Sequence, residues 1–388
     1  MKIGIDASRY GSEQATGVEW YSYHIINALV EQIAKNEDHE LVLYSRQALS
    51  YDEKIEDIIK GDKKNKFQNK ILRGKRIWTH LHLAREIVKK TPDVLFVPSH
   101  VLPFDAPKNS VITIHDVAFK HLKTSYSFVQ NWYLNWSTKY AVKHAKKIIV
   151  PSDSTAADLV HFYNCPHDKI VVIPHGFTAP KSLPKHKDDP FSEHEIFRYF
   201  KIEKDTKYIL FVGRLESKKN LERLIRAFAR FAYSHPEYKL VLAGKKGVGI
   251  ENIMRTIQEN TVTEKVIMMG YVNEEEKNIL MQNCKLFVFP SLYEGFGFPI
   301  LEAFYFKKPI LVSHVSSLPE VAKDAACYCD PYDIESIEMG LTKLVSDEDY
   351  AKNLVEMGTE RLKDFSWAKA AKMVLSVFES LIPKEHGK

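Results

Sequence analysis

The sequence contains no uncharged apolar run of the roughly 18 residues that a membrane-spanning helix requires. Its most apolar stretch, Leu286–Val312, is broken by Glu294, Glu302 and the pair Lys307 and Lys308. The opening run MKIGIDASRY lacks the apolar core of a secretory leader, and with an acid at Asp6 it reads as a first β-strand. Cysteine is scarce. Cys165, Cys284, Cys327 and Cys329 form no CxxC or other zinc spacing, so free thiols in a reducing, cytoplasmic compartment are expected. The histidines include no HExxH, and no metal site is expected. Gly244-Lys-Lys-Gly-Val-Gly249 lacks the GK[ST] ending of a phosphate-binding P-loop and reads as a strand-to-helix turn near a nucleotide base. Asp347-Glu348-Asp349 has the D-x-D form of metal-binding acids. It follows Ser346 and precedes a helical run, however, where acids favour a helix N-terminus.

What is present is ordinary soluble composition, 45% hydrophobic and 27% charged, on a chain of 388 residues, which is too long for one core and fits two α/β domains. The net charge of +5 is unevenly placed. Between Lys60 and Lys90 there are 11 Lys/Arg against two acids, Asp62 and Glu86, while the remainder of the chain is slightly acidic. Ile71, Leu72, Ile77, Trp78, Leu81, Leu83, Ile87 and Val88 are interspersed among these basic residues. That mixture suits an anionic membrane surface and predicts peripheral attachment to the inner face of the plasma membrane, with a lipid-linked acceptor. The rival reading is a nucleic-acid binder. It lacks a recognisable module or an aromatic-rich stacking platform, so no nucleic-acid partner is expected.

Short β-rich runs alternate with helical patterns. Lys2–Asp6, Leu41–Tyr44, Val94–Val97, Val111–Ile114, Ile148–Val150 and Ile170–Ile173 read as strands. The helix after the first strand places Tyr21, Ile25, Leu29 and Ile33 on one face, and another helix is expected around Val129–His144. Thr178–Pro190, with three prolines and many charges, interrupts the pattern as a linker does. A second series follows: strand Tyr208–Val212, helix Leu221–Ala232, then strands Lys239–Ala243, Lys265–Met269, Leu286–Phe289 and Pro309–Val312. Two doubly wound, Rossmann-like domains are expected, with ligands at the C-terminal ends of their parallel strands. The divisions are 1–177, a linker region 178–206, 207–365, and a terminal segment 366–388 whose Trp367, Ala370, Val374 and Phe378 share one helical face.

The strongest chemical signal is Glu294-Gly-Phe-Gly-Phe-Pro-Ile-Leu-Glu302. It follows an apolar strand and opens a helix, because Pro299 suits a first helical position. Gly295 and Gly297 let backbone approach a ligand closely, and a helix start favours an anion. A second signal is Gly213-Arg214-Leu215 followed by Lys219-Asn220, again between a strand and a helix. Arg214 and Lys219 can clamp a diphosphate, one as a planar fork and the other as a point charge. Lys218 is a neighbour whose role spacing does not separate.

The E-x7-E spacing resembles the motif of the retaining GT-B glycosyltransferases called family four, or group 1. The resemblance covers nearly the whole chain and is most specific over Tyr208–Ile310. It implies the GT-B fold: two Rossmann-like domains facing a cleft, with a C-terminal helix crossing back to the first. It also implies that Glu294 contacts hydroxyls of the donor sugar and Glu302 the nucleotide ribose, while the backbone of Gly295, Phe296, Gly297 and Phe298 lies near the sugar and diphosphate. Gly213, Arg214 and Lys219 match the family's G-R-L…K-[GN] pattern, whose two bases stabilise the departing phosphates. His115 in Thr113-Ile-His-Asp116 stands where the family places a histidine beside the donor sugar, with Asp116 as support. In the first loop, Ala15-Thr16-Gly17-Val18-Glu19 departs from the commoner glycine pair, so Gly17 alone is carried over. Val150-Pro151-Ser152 and Ile173-Pro174-His175-Gly176 are similar to segments closing the first domain, with His175 where Asn is commoner. The implied reaction is retaining, metal-independent transfer of a hexose from a nucleotide-diphosphate sugar to a saccharide acceptor. No carboxylate nucleophile is placed, which favours same-face attack. TIHDVAF and FVPSHVLPF resemble mannosyltransferase-like members and point toward GDP-mannose and polysaccharide or glycolipid assembly. A sugar-nucleotide epimerase or a phosphorylase of the same fold stands as the alternative.

Overall fold

Among the described residues of the computed structural model, thirteen strands form two wholly parallel sheets. The structure describes residues 1–11, 17–35, 38–61, 64–74, 77–180, 197, 202 and 206–383. Most of the expected linker region 178–206 lies outside them, as do Ala15 and Thr16 of the first loop and Asp62, Lys63, Lys75 and Arg76 of the basic segment. The chain divides into two units, Met1–Gly176 with Phe365–Lys388, and Phe177–Asp364.

The first unit contains β1 (Lys2–Asp6), β2 (Glu40–Ser45), β3 (Phe67–Ile71), β4 (Val94–Val97), β5 (Ser110–Thr113), β6 (Lys147–Val150) and β7 (Ile170–Val172) in the order β3-β2-β1-β4-β5-β6-β7. Central strands such as β4, Val-Leu-Phe-Val, are buried on both faces, which is why they read as continuous apolar runs. The second unit contains β8 (Lys207–Val212), β9 (Tyr238–Ala243), β10 (Val266–Gly270), β11 (Leu286–Phe289), β12 (Ile310–Ser313) and β13 (Cys327–Cys329) in the order β10-β9-β8-β11-β12-β13. Strand order reverses beside β1 in one unit and beside β8 in the other. In open α/β sheets ligands bind outside the C-terminal strand ends at such reversal points.

The terminal helix Trp367–Glu379 belongs to the first unit. Its N-cap Ser366 accepts from Lys369 N–H, and Trp367, Ala370, Val374 and Phe378 are all buried. Phe378 meets Phe96 of β4 at 5.3 Å between ring centroids. A Cβ on Gly176 would lie 2.2 Å from the Trp367 amide nitrogen, so only glycine permits this approach.

Most expected strands are present with ends moved by one or two residues; Ile114 and Ile173 stand just beyond β5 and β7. The basic segment requires a larger correction. It holds the edge strand β3 and a helical stretch, and three of its apolar residues, Trp78, Leu83 and Ile87, are core rather than surface. Trp78 also donates its indole N–H to the Leu72 carbonyl at 2.6 Å. β3 hides its strand character because Gln68, Asn69 and Lys70 interrupt its apolar run, as polar and charged residues on edge strands do to discourage further pairing. The acids at Asp347-Glu348-Asp349 do start a helix: Asp347 accepts from Tyr350 N–H at 2.9 Å.

Candidate functional site

In the second unit the loops after β8 and β11 leave the sheet where strand order reverses. The β8 loop passes Gly213 and Arg214, makes a turn over Ser217–Lys219, and enters helix Leu221–Ser234 through Asn220. Asn220 has a left-handed backbone and donates its side-chain amide to the Pro331 carbonyl at 2.6 Å. The two loops are tied together by a bond from Leu292 N–H to the Lys218 carbonyl, 2.9 Å. Lys219 Nζ therefore reaches Glu294 Oε1 at 2.5 Å and lies 5.2 Å from the centre of the Phe289 ring. Both charged side chains are largely buried, 12% and 15% exposed.

The segment after Glu294 is held from a third loop. Glu294 N–H donates to Ser316 Oγ at 3.0 Å, and Ser317 Oγ donates to the carbonyls of Glu294 and Phe296 at 2.9 Å. Gly297 takes φ +109°, and a Cβ there would meet Leu318 at 2.9 Å, so glycine is required on both counts. Gly295 and Phe296 belong to this braced turn; Phe298 and Pro299 begin helix Phe298–Tyr305, whose dipole favours an anion. Glu302, farther along the same helix, meets Lys277 at 2.7 Å. Lys277 also reaches Glu274 at 2.8 Å. Burial opposes its charge, but the two glutamates outweigh burial and hold its pKa above that of an ordinary lysine.

Arg214 is placed differently. Its side chain is 64% exposed, with Nε 4.0 Å from Glu216 Oε2, while Lys218 lies 3.4 Å from the same carboxylate. Gly213 borders Gly244 so closely that a Cβ on the latter would fall 1.8 Å from the Gly213 carbonyl oxygen. The structure thus joins Lys219 to Glu294, gives Glu302 a cation, and leaves the Arg214 guanidinium in contact with water.

In the first unit, Gly17 opens helix Gly17–Lys35, and a Cβ there would meet nothing within 4 Å. Glu19 is turned toward Arg9 at 3.4 Å. His115 lies just beyond β5 and is buried, with Nε2 3.2 Å from the Pro98 carbonyl and Nδ1 3.4 Å from His175 Nε2. The consistent arrangement has His115 Nε2–H donating to Pro98 while Nδ1 accepts from His175. Both ring nitrogens then point at protein. Tyr21 packs against both imidazoles at 4.7 and 4.5 Å and shares a hydroxyl contact with Thr113. Burial, then the neighbouring His100, pushes His115 down to about 3, and burial holds His175 well below its ordinary value. His24, stacked on Trp367 at 5.1 Å, is pushed down to about 4 by burial. These imidazoles are neutral near pH 7. Asp116 accepts from Ala118 N–H at 3.0 Å and supports the turn.

Lys277, Ser316 and Ser317 escape sequence reasoning because each acts on a motif residue from a distant loop or helix. Among the described residues no group of three or more His, Cys, Asp or Glu is placed to hold a metal ion. None of the described helices is long and apolar enough to cross a membrane.

Comparison with known proteins places these features in context. Residues 15–179 match the model of Glycosyltransferase Family 4, and residues 192–361 that of Glycosyl transferases group 1. The Escherichia coli O-antigen chain mannosyltransferase B is 26% identical over 285 residues, 73% of each chain. The E. coli serotype-specific mannosyltransferase WbdA is 29% identical over 72% of this chain, which spans only 34% of WbdA. Among solved structures, sucrose-phosphate synthase from Thermosynechococcus elongatus aligns with a TM-score of 0.72 at 18% identity, covering 98% of this chain and 99% of its own. WaaG, a glycosyltransferase involved in lipopolysaccharide biosynthesis, aligns at 0.67 and 14% identity, covering 97% and 99%. At these identities the structural likeness speaks for the fold, which is α/β of the GT-B class.

Proposed function

The chain belongs to the group 1 glycosyltransferases of family four and is a hexosyltransferase; on that premise we propose that it moves mannose from GDP-mannose to a saccharide acceptor, lipid-linked, in cell-surface polysaccharide assembly. The observation that carries the assignment of chemistry is the Lys219–Glu294 pair at the point where strand order reverses in the second unit. A diphosphate arriving there would share Lys219 with Glu294, and Arg214 is open to grip it from the other side of the β8 loop. Their charges, with the start of helix Phe298–Tyr305, would stabilise the diphosphate as it departs. Glu294 would hold sugar hydroxyls and Glu302 the ribose, with Lys277 fixing the Glu302 carboxylate. No carboxylate is assigned as nucleophile, so the acceptor attacks from the face the diphosphate leaves, with retention. The mannose preference is supported by two mannosyltransferase relatives and by the TIHDVAF and FVPSHVLPF segments. Cytoplasmic action on the inner face of the membrane is supported by the basic segment.

Thermal stability measured against GDP-, UDP- and ADP-sugars, with chelator present, tests the reading. A donor at about a hundred times its dissociation constant adds about 2.7 kcal/mol to stability. Stabilisation by GDP-mannose alone is expected, and stabilisation only by UDP- or ADP-sugars would overturn the mannose assignment. With both ring nitrogens engaged by Pro98 and His175, His115 would orient the sugar only by giving up one of these bonds when donor binds, and His115→Ala is then expected to lower turnover and to weaken donor-induced stabilisation.

A further inference from the structure

Helix Phe128–His144 starts at a capping box in which Ser127 and Gln130 satisfy each other's backbone N–H groups. Its inner face, including Ala141 and Val142, is buried. The opposite side carries a ring at every fourth residue: Trp132, Trp136, Tyr140 and His144. Their centroids are 6.5, 5.8 and 4.3 Å apart, with successive planes within 28° of parallel. The outer end of this ladder is open, with Phe128 85%, Val129 71% and Trp132 61% exposed. So much contiguous apolar surface on a soluble unit marks an interaction site.

The ladder continues into the basic segment. His80 stacks on Phe104 at 4.2 Å, and both rings lie 6.0 Å from Trp136. In the same stretch of sequence as His80, the side chains of Ile77, Leu81 and Val88 are exposed, as are Arg85 and Lys89. Arg73, Arg85 and Lys89 border an open cavity of about 520 Å³. Its acid, Glu86, is paired with Lys70, and the three cations form no ion pair with any described residue.

The geometry points to one continuous docking surface for an anionic phospholipid bilayer, in which Phe128, Val129 and Trp132 enter the headgroup–acyl boundary and Arg73, Arg85 and Lys89 receive lipid phosphates. Aromatic side chains seated beside exposed aliphatic ones suit that boundary, and cations at its rim gain from the negative surface potential. A saccharide would use the ladder differently, by stacking on ring faces. Here the rings are accompanied by the exposed aliphatic side chains of Val129, Ile77, Leu81 and Val88 and by cations, which favours lipid. The inference rests on the proposed membrane-bound acceptor, but it can be tested without it.

The test is co-sedimentation of the full chain with vesicles of phosphatidylcholine alone and of equimolar phosphatidylcholine and phosphatidylglycerol. Binding is expected to the anionic vesicles and to be lost in high salt. Arg73→Ser/Arg85→Ser/Lys89→Ser should weaken it about a hundredfold. Phe128→Ser/Trp132→Ser should weaken it about tenfold, and brominated acyl chains should quench tryptophan emission less in that variant than in the parent. Transfer to a water-soluble saccharide acceptor should be unchanged in both variants, which separates failure of this surface from failure of the transferase reading. Absence of binding to anionic vesicles overturns the proposal. So does undiminished binding by the Phe128/Trp132 variant, or by Phe128→Asp. Quenching of Trp132 by oligosaccharide without vesicle binding would overturn it in favour of a saccharide platform.

Discussion

Lys219 and Glu294 are each mostly withdrawn from water, and that decides what removing either one costs. Truncating one partner leaves the other charge buried and uncompensated, a loss of about 3 kcal/mol. Lys219→Ala should therefore lower both stability in urea and turnover, the latter about a hundredfold if the ammonium meets departing phosphate. Glu294→Gln, which keeps shape and hydrogen bonding, should recover much of the stability but little of the turnover. If Glu294→Gln turned over normally, the carboxylate would be structural. Lys277 acts one step farther away. Lys277→Met should raise the donor KM about tenfold by releasing Glu302, with little effect on kcat, which steady-state kinetics would resolve. Glu294, Gly297, Pro299 and Glu302 are legible in sequence because one local turn needs all four within nine consecutive positions. Lys277 is not legible, since its pairing with Glu302 depends on how two separate helices pack.

At the scale of elements, the braced turn before helix Phe298–Tyr305 is the most demanding piece of backbone. Gly297→Ala must adopt φ near +109° and press a methyl group against Leu318. A loss of at least about 1 kcal/mol is expected in denaturant unfolding, together with weaker donor binding. Strands were readable where both faces are buried, as in β4 and β11, because an uninterrupted apolar run admits few other readings. The edge strands β3 and β13 were not. Three consecutive polar residues, Gln68, Asn69 and Lys70, mask β3, and β13 is only Cys327-Tyr-Cys329, too short to show a period. The aromatic ladder lay in plain view at i, i+4 spacing. Its meaning depends on which side of the helix faces the core, and that comes from packing.

Across the first unit as a whole, buried neutral histidines make stability sensitive to acid. His24, His115 and His175 ionise near 6.5 when unfolded but well below that when folded. Between those values the unfolded chain binds more protons, so stability falls as pH drops from about 6.5 toward 4. Melting temperature should decline over that window, and His24→Phe should flatten the decline. An unchanged melting temperature between pH 7 and pH 4.5 would contradict the burial of these rings. The same unit depends on its returning helix: Phe378→Ala should cost about 3–5 kcal/mol, seen as a lower urea midpoint.

That return has a consequence for how the molecule is made. Met1–Gly176 and Phe365–Lys388 form one body, with the whole of Phe177–Asp364 synthesised between them. A nascent chain can finish the second unit while the first still lacks the residues that cover Phe96. For the length of that interval on the ribosome, the apolar bed awaiting Val374 and Phe378 stays open to chaperones or to premature misassociation. A helix translated after the whole second unit is therefore the one that closes a sheet made before that unit began.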